Sequence, residues 1–444
     1  MIVNQEATIG DRNGQADSGI KSRPEGSIPL TTNQLVGDHQ PRPTSTELAE
    51  GEERKLARKA DLVSRADAVA AAALQSAEAV DAQARFPHES FQAARNQQLL
   101  GIMVPTELGG EGASVSDVAD VCYILGRSCG STAMIFAMHQ IMVAILVRHA
   151  RNSAWHSSLL RRLGAEQLLL ASSTTEGQGG GDLRSSGSAV ERQGSRIAFT
   201  KSATVLSYGL HADAVVTTAR RAADAAPSDQ VLVAFLKEQY RLEPIASWDT
   251  LGMRGTCSAG FKFEGNGEAD QVLPVPYQTI HSHTMMPVAH LTWSAVWTGV
   301  AAAAVERARR FVRTTARRNA GQLPPGAAHL TRATMSLRGL RDAVELALVR
   351  FEKAGSCADR LEAIEFQNTM NLLKVTASET AIAVALSAMQ ACGLSGYRND
   401  GEFSVSRNLR DALSSSIMIN NDRILASAAS TSSLIEVPHL LRSV

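Results

Sequence analysis

The strongest constraint on the fold is a change of hydrophobic period along the chain. From residue 52 to residue 163 apolar positions recur at helical spacing, as in Ala57, Leu62, Ala66, Val69 and Leu74 on one face. That spacing predicts helices over 52–84, 89–100, 116–127, 131–149 and 155–163. Between residue 168 and about residue 275 the apolar residues come instead in short runs between turn residues, at 188–191, 197–200, 214–218, 231–235 and 260–263. The last alternates with period two. No helical stretch separates these runs, so they predict a compact antiparallel β unit rather than βαβ units. Helical spacing returns near residue 287, over 288–318, 328–356, 359–392 and 411–431, and four helices of that length predict a bundle. The expected class is α+β: a helical domain at 51–166, a middle β domain at 167–284 and a helical bundle at 285–444. A tail at 1–50, rich in Gly, Pro, Thr, Asn and Gln, is expected to be disordered.

Composition removes several function classes. Lys plus Arg and Asp plus Glu both number 44. Duplex-binding surfaces need a basic excess, so nucleic acid is not an expected partner. No run reaches eighteen uninterrupted apolar residues, so no membrane span is expected. The five cysteines are scattered without a CxxC, which indicates neither a zinc site nor a disulfide framework. With no basic-then-apolar leader pattern, the expected location is cytoplasmic.

Residues 171–183, A-S-S-T-T-E-G-Q-G-G-G-D-L, follow the apolar Leu168-Leu169-Leu170 run. Glycines let the backbone approach a flat or phosphorylated ligand, and adjacent hydroxyls can bond its heteroatoms. Alone, such a stretch is as readily an ordinary loop. Cys257 has no neighbouring His in sequence and reads as a small buried residue. Ser172 and Ser173 lack the G-x-S-x-G elbow of a hydrolase.

Six motifs in order resemble the acyl-CoA dehydrogenase family of flavoproteins over about residues 85–430. V-P-T-E-L-G-G at 104–110 is similar to V-P-x-E-x-G-G. The Gly-rich stretch resembles T-E-P-x-A-G-S-D, with Thr175, Glu176, Gly180 and Asp182 in register. Lys201 through Ser207, Gly209 and Ala212-Asp213 resemble K-x-x-I-T-N-G-x-x-A-D. L-G-M-R-G-T at 251–256 matches L-G-M-R-G-[ST], and Gln390, Gly393, Gly396 and Tyr397 resemble Q-x-x-G-G-x-G-Y. Glu402 to Arg407 with Arg410-Asp411-Ala412 resemble E-Y-P-V-E-R-x-x-R-D-A.

The resemblance implies FAD held by Ser173, Thr174, Thr175, Gly180, Gly181, Leu206 and Ser207, with Gln390, Gly393 and Asn421 completing the cofactor site. A Ser207 hydroxyl near flavin N5 would stabilise the charge of the reduced ring. Gly181, Asn420 and His139 would meet an acyl-CoA or acyl-carrier-protein substrate. Electron-transfer flavoprotein is the implied electron partner, lipid metabolism the implied setting, and a homodimer or homotetramer the implied assembly. No metal is implied.

One position departs from the pattern. Removing the α-proton of a thioester needs a tuned base, in most of the family the Glu of I-Y-E-G-T. Here the segment reads Ile417-Met418-Ile419-Asn420-Asn421, so the base position holds Ile419. The other family location, on the first bundle helix, falls at Ala289 or His290. Asp422 and His290 are the candidate replacement bases; a solvated helix acid and a core histidine are the plainer readings. Relatives that use reduced flavin and O2, supplied by a flavin reductase, also lack this Glu, and there His139 and His149 become candidates. The resemblance implies first an FAD-dependent oxidoreductase that carries out α,β-oxidation of an acyl thioester; the reduced-flavin monooxygenase is the alternative, and a flavin-binding scaffold without activity is the third reading.

Overall fold

The computed structural model describes residues 45–176, 185–433 and 439, with side chains from residue 56 onward. Most of the tail at 1–50 lies outside the described residues. The first helices are α1 (Ser45–Ala82), α2 (His88–Asn96), α3 (Val115–Gly126), α4 (Gly130–His149) and α5 (Ala154–Glu166). Helix α4 is apolar on every face because every residue from Gly130 to Leu146 is buried. Its neighbour α3 starts on a capping box, in which Ser114 and Asp117 satisfy each other's amides. Helix α2 stops earlier than its spacing predicts: Gln98 turns left-handed at φ 55°, and the chain folds Leu99 and Leu100 back into the core.

The middle of the chain forms two sheets. One has the order β1 (Leu170–Ser173), β4 (Ala214–Arg220), β5 (Gln230–Leu236), and β1 runs parallel to β4. The other is antiparallel, in the order β2 (Glu191–Gln193), β3 (Arg196–Ala203), β7 (Gly260–Glu268), β6 (Tyr240–Ala246). The purely antiparallel expectation is therefore corrected at β1, which pairs parallel with β4. Strands β1 and β6 were not among the expected runs. The first has only four residues, and the second is an exposed edge with Pro244 at a break in register, where a missing N–H costs no ladder bond. Phe199, Phe235 and Phe263 pack the interior, their ring centroids 5.5–6.0 Å apart.

The remaining helices are α6 (Tyr277–Ile280), α7 (Met286–Arg318), α8 (Ala327–Ala354), α9 (Ala358–Glu362), α10 (Ile364–Cys392), α11 (Leu394–Tyr397), α12 (Ser406–Ile417) and α13 (Asn421–Ser432), with a π-helical turn at His281–Met285. Two expected helices are broken. The 359–392 pattern divides at Ala363, and the 411–431 pattern divides at Met418–Asn420, where Ile419 has φ 51°. By length and composition α4, the stretch Tyr277–Arg318 and α10 could each cross a membrane, but 94%, 100% and 56% of their apolar windows are buried inside this protein.

Helix α7 approaches α3 through glycines. A Cβ on Gly299 would lie 2.4 Å from the Tyr123 carbonyl oxygen and 3.0 Å from the Gly126 Cα. Neither neighbour is a flexible side-chain end, so Gly299→Val must part the helices. It is expected to destabilise the protein by about 1–3 kcal/mol, read as a lowered urea midpoint; an unchanged midpoint would refute this contact.

Candidate active site

Strand β1 carries the first site residues, and His139 of α4 fixes where it starts. The imidazole is fully buried; Nδ1 accepts from the Leu170 amide at 3.0 Å and Nε2 donates to the Leu100 carbonyl at 2.8 Å. Burial pushes its pKa down to about 4, so it stays neutral. With both nitrogens committed to backbone it has nothing to offer a substrate, which corrects the expected substrate role of His139.

The other end of β1 is held by Lys201. Its buried ammonium donates to the Ser173 carbonyl at 3.0 Å, to the Thr218 carbonyl at 3.0 Å and to Thr218 Oγ1 at 2.9 Å. Burial lowers this lysine to about 8 against the opposing pull of Glu176, 3.6 Å away. Glu176 in turn accepts from the Ser186 hydroxyl and, at 2.7 Å, from the Gly187 amide. Gly180 and Gly181 lie outside the described residues.

The 205–208 turn is brought against β1 by two bonds: Tyr208 Oη to the Leu170 carbonyl at 2.8 Å and Thr175 Oγ1 to the Val205 carbonyl at 3.4 Å. Tyr208 sits in the left-handed region at φ 42°, which leaves the half-buried Ser207 bonded to Ser258 Oγ at 2.8 Å. Ser173, Thr174, Thr175 and Ser207 therefore do come together. Ser173 Oγ is fully buried and has no hydrogen-bond partner among the described residues. An orphaned buried hydroxyl at the end of β1 suits a heteroatom of a flavin ring edge. Leu206 differs: its side chain is buried against Gly209 and its amide donates to the Ala259 carbonyl, so it packs the turn from within.

The bundle supplies a second group. His290 on α7 is buried, and its Nδ1 donates to the Met370 carbonyl of α10 at 3.1 Å. That bond fixes the tautomer with a lone pair on Nε2, while burial and nearby Lys374 lower its pKa to about 3. One turn beyond Met370, the fully buried Lys374 lies 5.7 Å from the Trp297 ring centroid and donates to Asn421 Oδ1 at 2.7 Å. Asn421 also donates to Ser378 Oγ at 3.0 Å. Lys374 has no carboxylate within ion-pair distance among the described residues, and burial lowers it to about 8.

These contacts correct three expectations. Asn421 is a buried strut spent on α10, not a cofactor ligand. Asn420 is exposed, and its Oδ1 caps α13 by accepting from the Asp422 amide at 2.9 Å. Asp422 is exposed in the first turn of α13, a favourable place for an acid at a helix N-terminus but without the burial a base requires. Gln390 and Gly393 are exposed at the end of α10. Lys374 escaped the sequence reading; its signal was one charge in the otherwise apolar Leu372-Leu373-Lys374-Val375. Asp411 joins two motifs instead of reacting, accepting from the Met253 amide at 2.7 Å with its carboxyl raised to about 6 by burial.

The acyl-CoA dehydrogenase N-terminal domain profile matches residues 58–167, and the C-terminal domain profile of the same family matches residues 283–426. The chain belongs to the acyl-CoA dehydrogenase family. It is 26% identical over 355 residues to cyclohex-1-ene-1-carbonyl-CoA dehydrogenase of Geobacter metallireducens, covering 78% of this chain and 89% of that protein. It is 25% identical to the amino sugar nitrososynthase DnmZ of Streptomyces peucetius, over 72% of this chain and 80% of the relative. Among solved structures, FMN-bound TdsC of Paenibacillus sp. A11-2 superposes with a TM-score of 0.75 at 17% identity, covering 85% and 98% of the two chains.

Two predictions follow from the buried groups. His139, His149 and His156 are lowered to about 4 and His290 to about 3, against 6.5 unfolded. The unfolded chain thus binds more protons between about pH 4 and 6.5, and stability falls as pH drops through that window. Asp411, raised from 3.8 to about 6, opposes this as one group against four. The urea midpoint should be lower at pH 5 than at pH 7; a flat profile would contradict the buried neutral imidazoles. Separately, Lys374→Met should loosen the 418–421 turn by about 1–2 kcal/mol, seen as faster amide exchange there, and unchanged exchange would show that the strut carries no load.

Proposed function

We propose that the protein is a flavin-dependent oxidoreductase of the monooxygenase type, using reduced flavin and O2. The observation that carries this reading is the character of both base locations. One is Ile419, held at a positive φ that is costly for a β-branched residue, and the other is the buried neutral His290. Neither offers the carboxylate that α-proton removal needs, and Asp422 is exposed. A bound flavin supplies two-electron chemistry, giving electrons to O2 when reduced or taking hydride when oxidised. This chain's contribution is to orient it with Ser173, Thr174, Thr175 and Ser207 and to keep the surroundings dry. The flavin is FAD in this proposal, with FMN, as in TdsC, the alternative that mass spectrometry of the released cofactor decides. A flavin reductase would be the partner and a homodimer or homotetramer the assembly.

A dehydrogenase acting on an acyl thioester is the second reading, favoured by the Nε2 lone pair of His290 and by the cyclohexenecarbonyl-CoA relative. There an electron-transfer flavoprotein would be the acceptor. Anaerobic mixing with a panel of acyl-CoAs separates the two. The monooxygenase reading expects no bleaching of the oxidised flavin, and incorporation of labelled oxygen into product once a reductase and O2 are supplied. Bleaching that is lost in His290→Gln would overturn it in favour of the dehydrogenase.

A further inference from the structure

A cavity of about 500 Å3 opens between the 104–112 turn, the C-terminal end of α4, the start of α7 and the end of α8. That volume falls within the range of small-molecule sites. None of its lining residues belongs to β1, to the 205–208 turn or to the Lys374–Asn421 group. Val147, on its wall, is eight residues beyond His139 on the same helix, roughly 12 Å along the axis.

The cavity is lined by both apolar and positively charged side chains. Val147, Val288 and Phe351 give the apolar surface. Arg148 is partly buried, donates to the Gly355 carbonyl at 2.8 Å, and has no carboxylate partner among the described residues. Arg151 likewise has none. The acids at the cavity do not cancel both. Glu111 is occupied by Arg65 through two bonds of 2.8 and 2.7 Å, Arg58 faces Asp117 at 3.7 Å, and Glu107 is exposed. A partly buried guanidinium beside an apolar surface is costly unless an anion answers it.

A second feature converges here. The π-helical turn at His281–Met285 sets Thr284 on the cavity wall, where its hydroxyl bonds His149 Nε2 at 2.8 Å. Single π turns inside helices occur frequently at functional sites.

We infer that this cavity binds a small apolar carboxylate at a site separate from the flavin, its hydrocarbon body against Val147, Val288 and Phe351 and its carboxylate on Arg148 and Arg151. Val288 directly precedes Ala289 and His290, so an occupant presses on the helix segment that carries one of the two base locations. The site does not depend on which reaction the flavin performs.

The test titrates octanoate, with octanamide as its uncharged counterpart, into the full chain by calorimetry. Octanoate should bind and octanamide at least about tenfold more weakly, the worth of one charge-assisted bond. Arg151→Gln, an exposed change that leaves the fold intact, should weaken octanoate by about tenfold. Val147→Trp, which fills the cavity, should remove the binding while leaving flavin content and its visible spectrum unchanged. Absence of octanoate binding at millimolar concentration overturns the inference. So does equal binding of the amide, binding that survives Val147→Trp, or binding that displaces flavin.

Discussion

One imidazole ties the layers of this molecule together. His139 joins the turn after α2, through the Leu100 carbonyl, to the first residue of β1, through the Leu170 amide. It does so from the middle of a helix with no exposed face. A hydrocarbon side chain there would strand two buried backbone groups, and a protonated imidazole would have no acceptor for its second N–H. The neutral state is therefore part of the architecture. Everything that follows β1, including the hydroxyls at Ser173 to Thr175, takes its position from that start.

The same economy runs through the site. Lys201 anchors the far end of β1, Tyr208 clamps the 205–208 turn back onto it, and Asp411 pins the 251–256 segment to α12. On the bundle side Lys374 and Ser378 hold Asn421, while Ile419 beside it keeps a backbone conformation that a β-branched residue resists. The polar groups around the site mostly build it. Among the described residues few remain to react, and neither Ile419 nor His290 supplies a carboxylate.

Much of the plan is legible in the amino-acid sequence. Helical period, then short runs, then helical period again follows from burial. A helix packed on one stripe and a strand packed on one face leave different repeats in the sequence. The hydroxyls Thr175 and Ser207 stand out in the sequence because they sit at motif positions. The short β1, the edge strand β6 and the breaks at Ala363 and Met418–Asn420 were not legible. Each is decided by partners far away in the chain, and local spacing reads straight through them.

By itself the sequence determined the family, the order of helical and β parts and the lack of a carboxylate at position 419, since these depend on residue identity and local period. Only the tertiary structure decided the roles of particular polar residues. It spends His139 and Asn421 inside the core and leaves Asp422 in solvent. It also brings Lys374 under the 418–421 turn and opens a cavity beside Arg148. Those outcomes rest on which backbone groups need partners once the chain is packed, and hydrogen-bond debts of that kind are long-range. No window of sequence contains both sides of them.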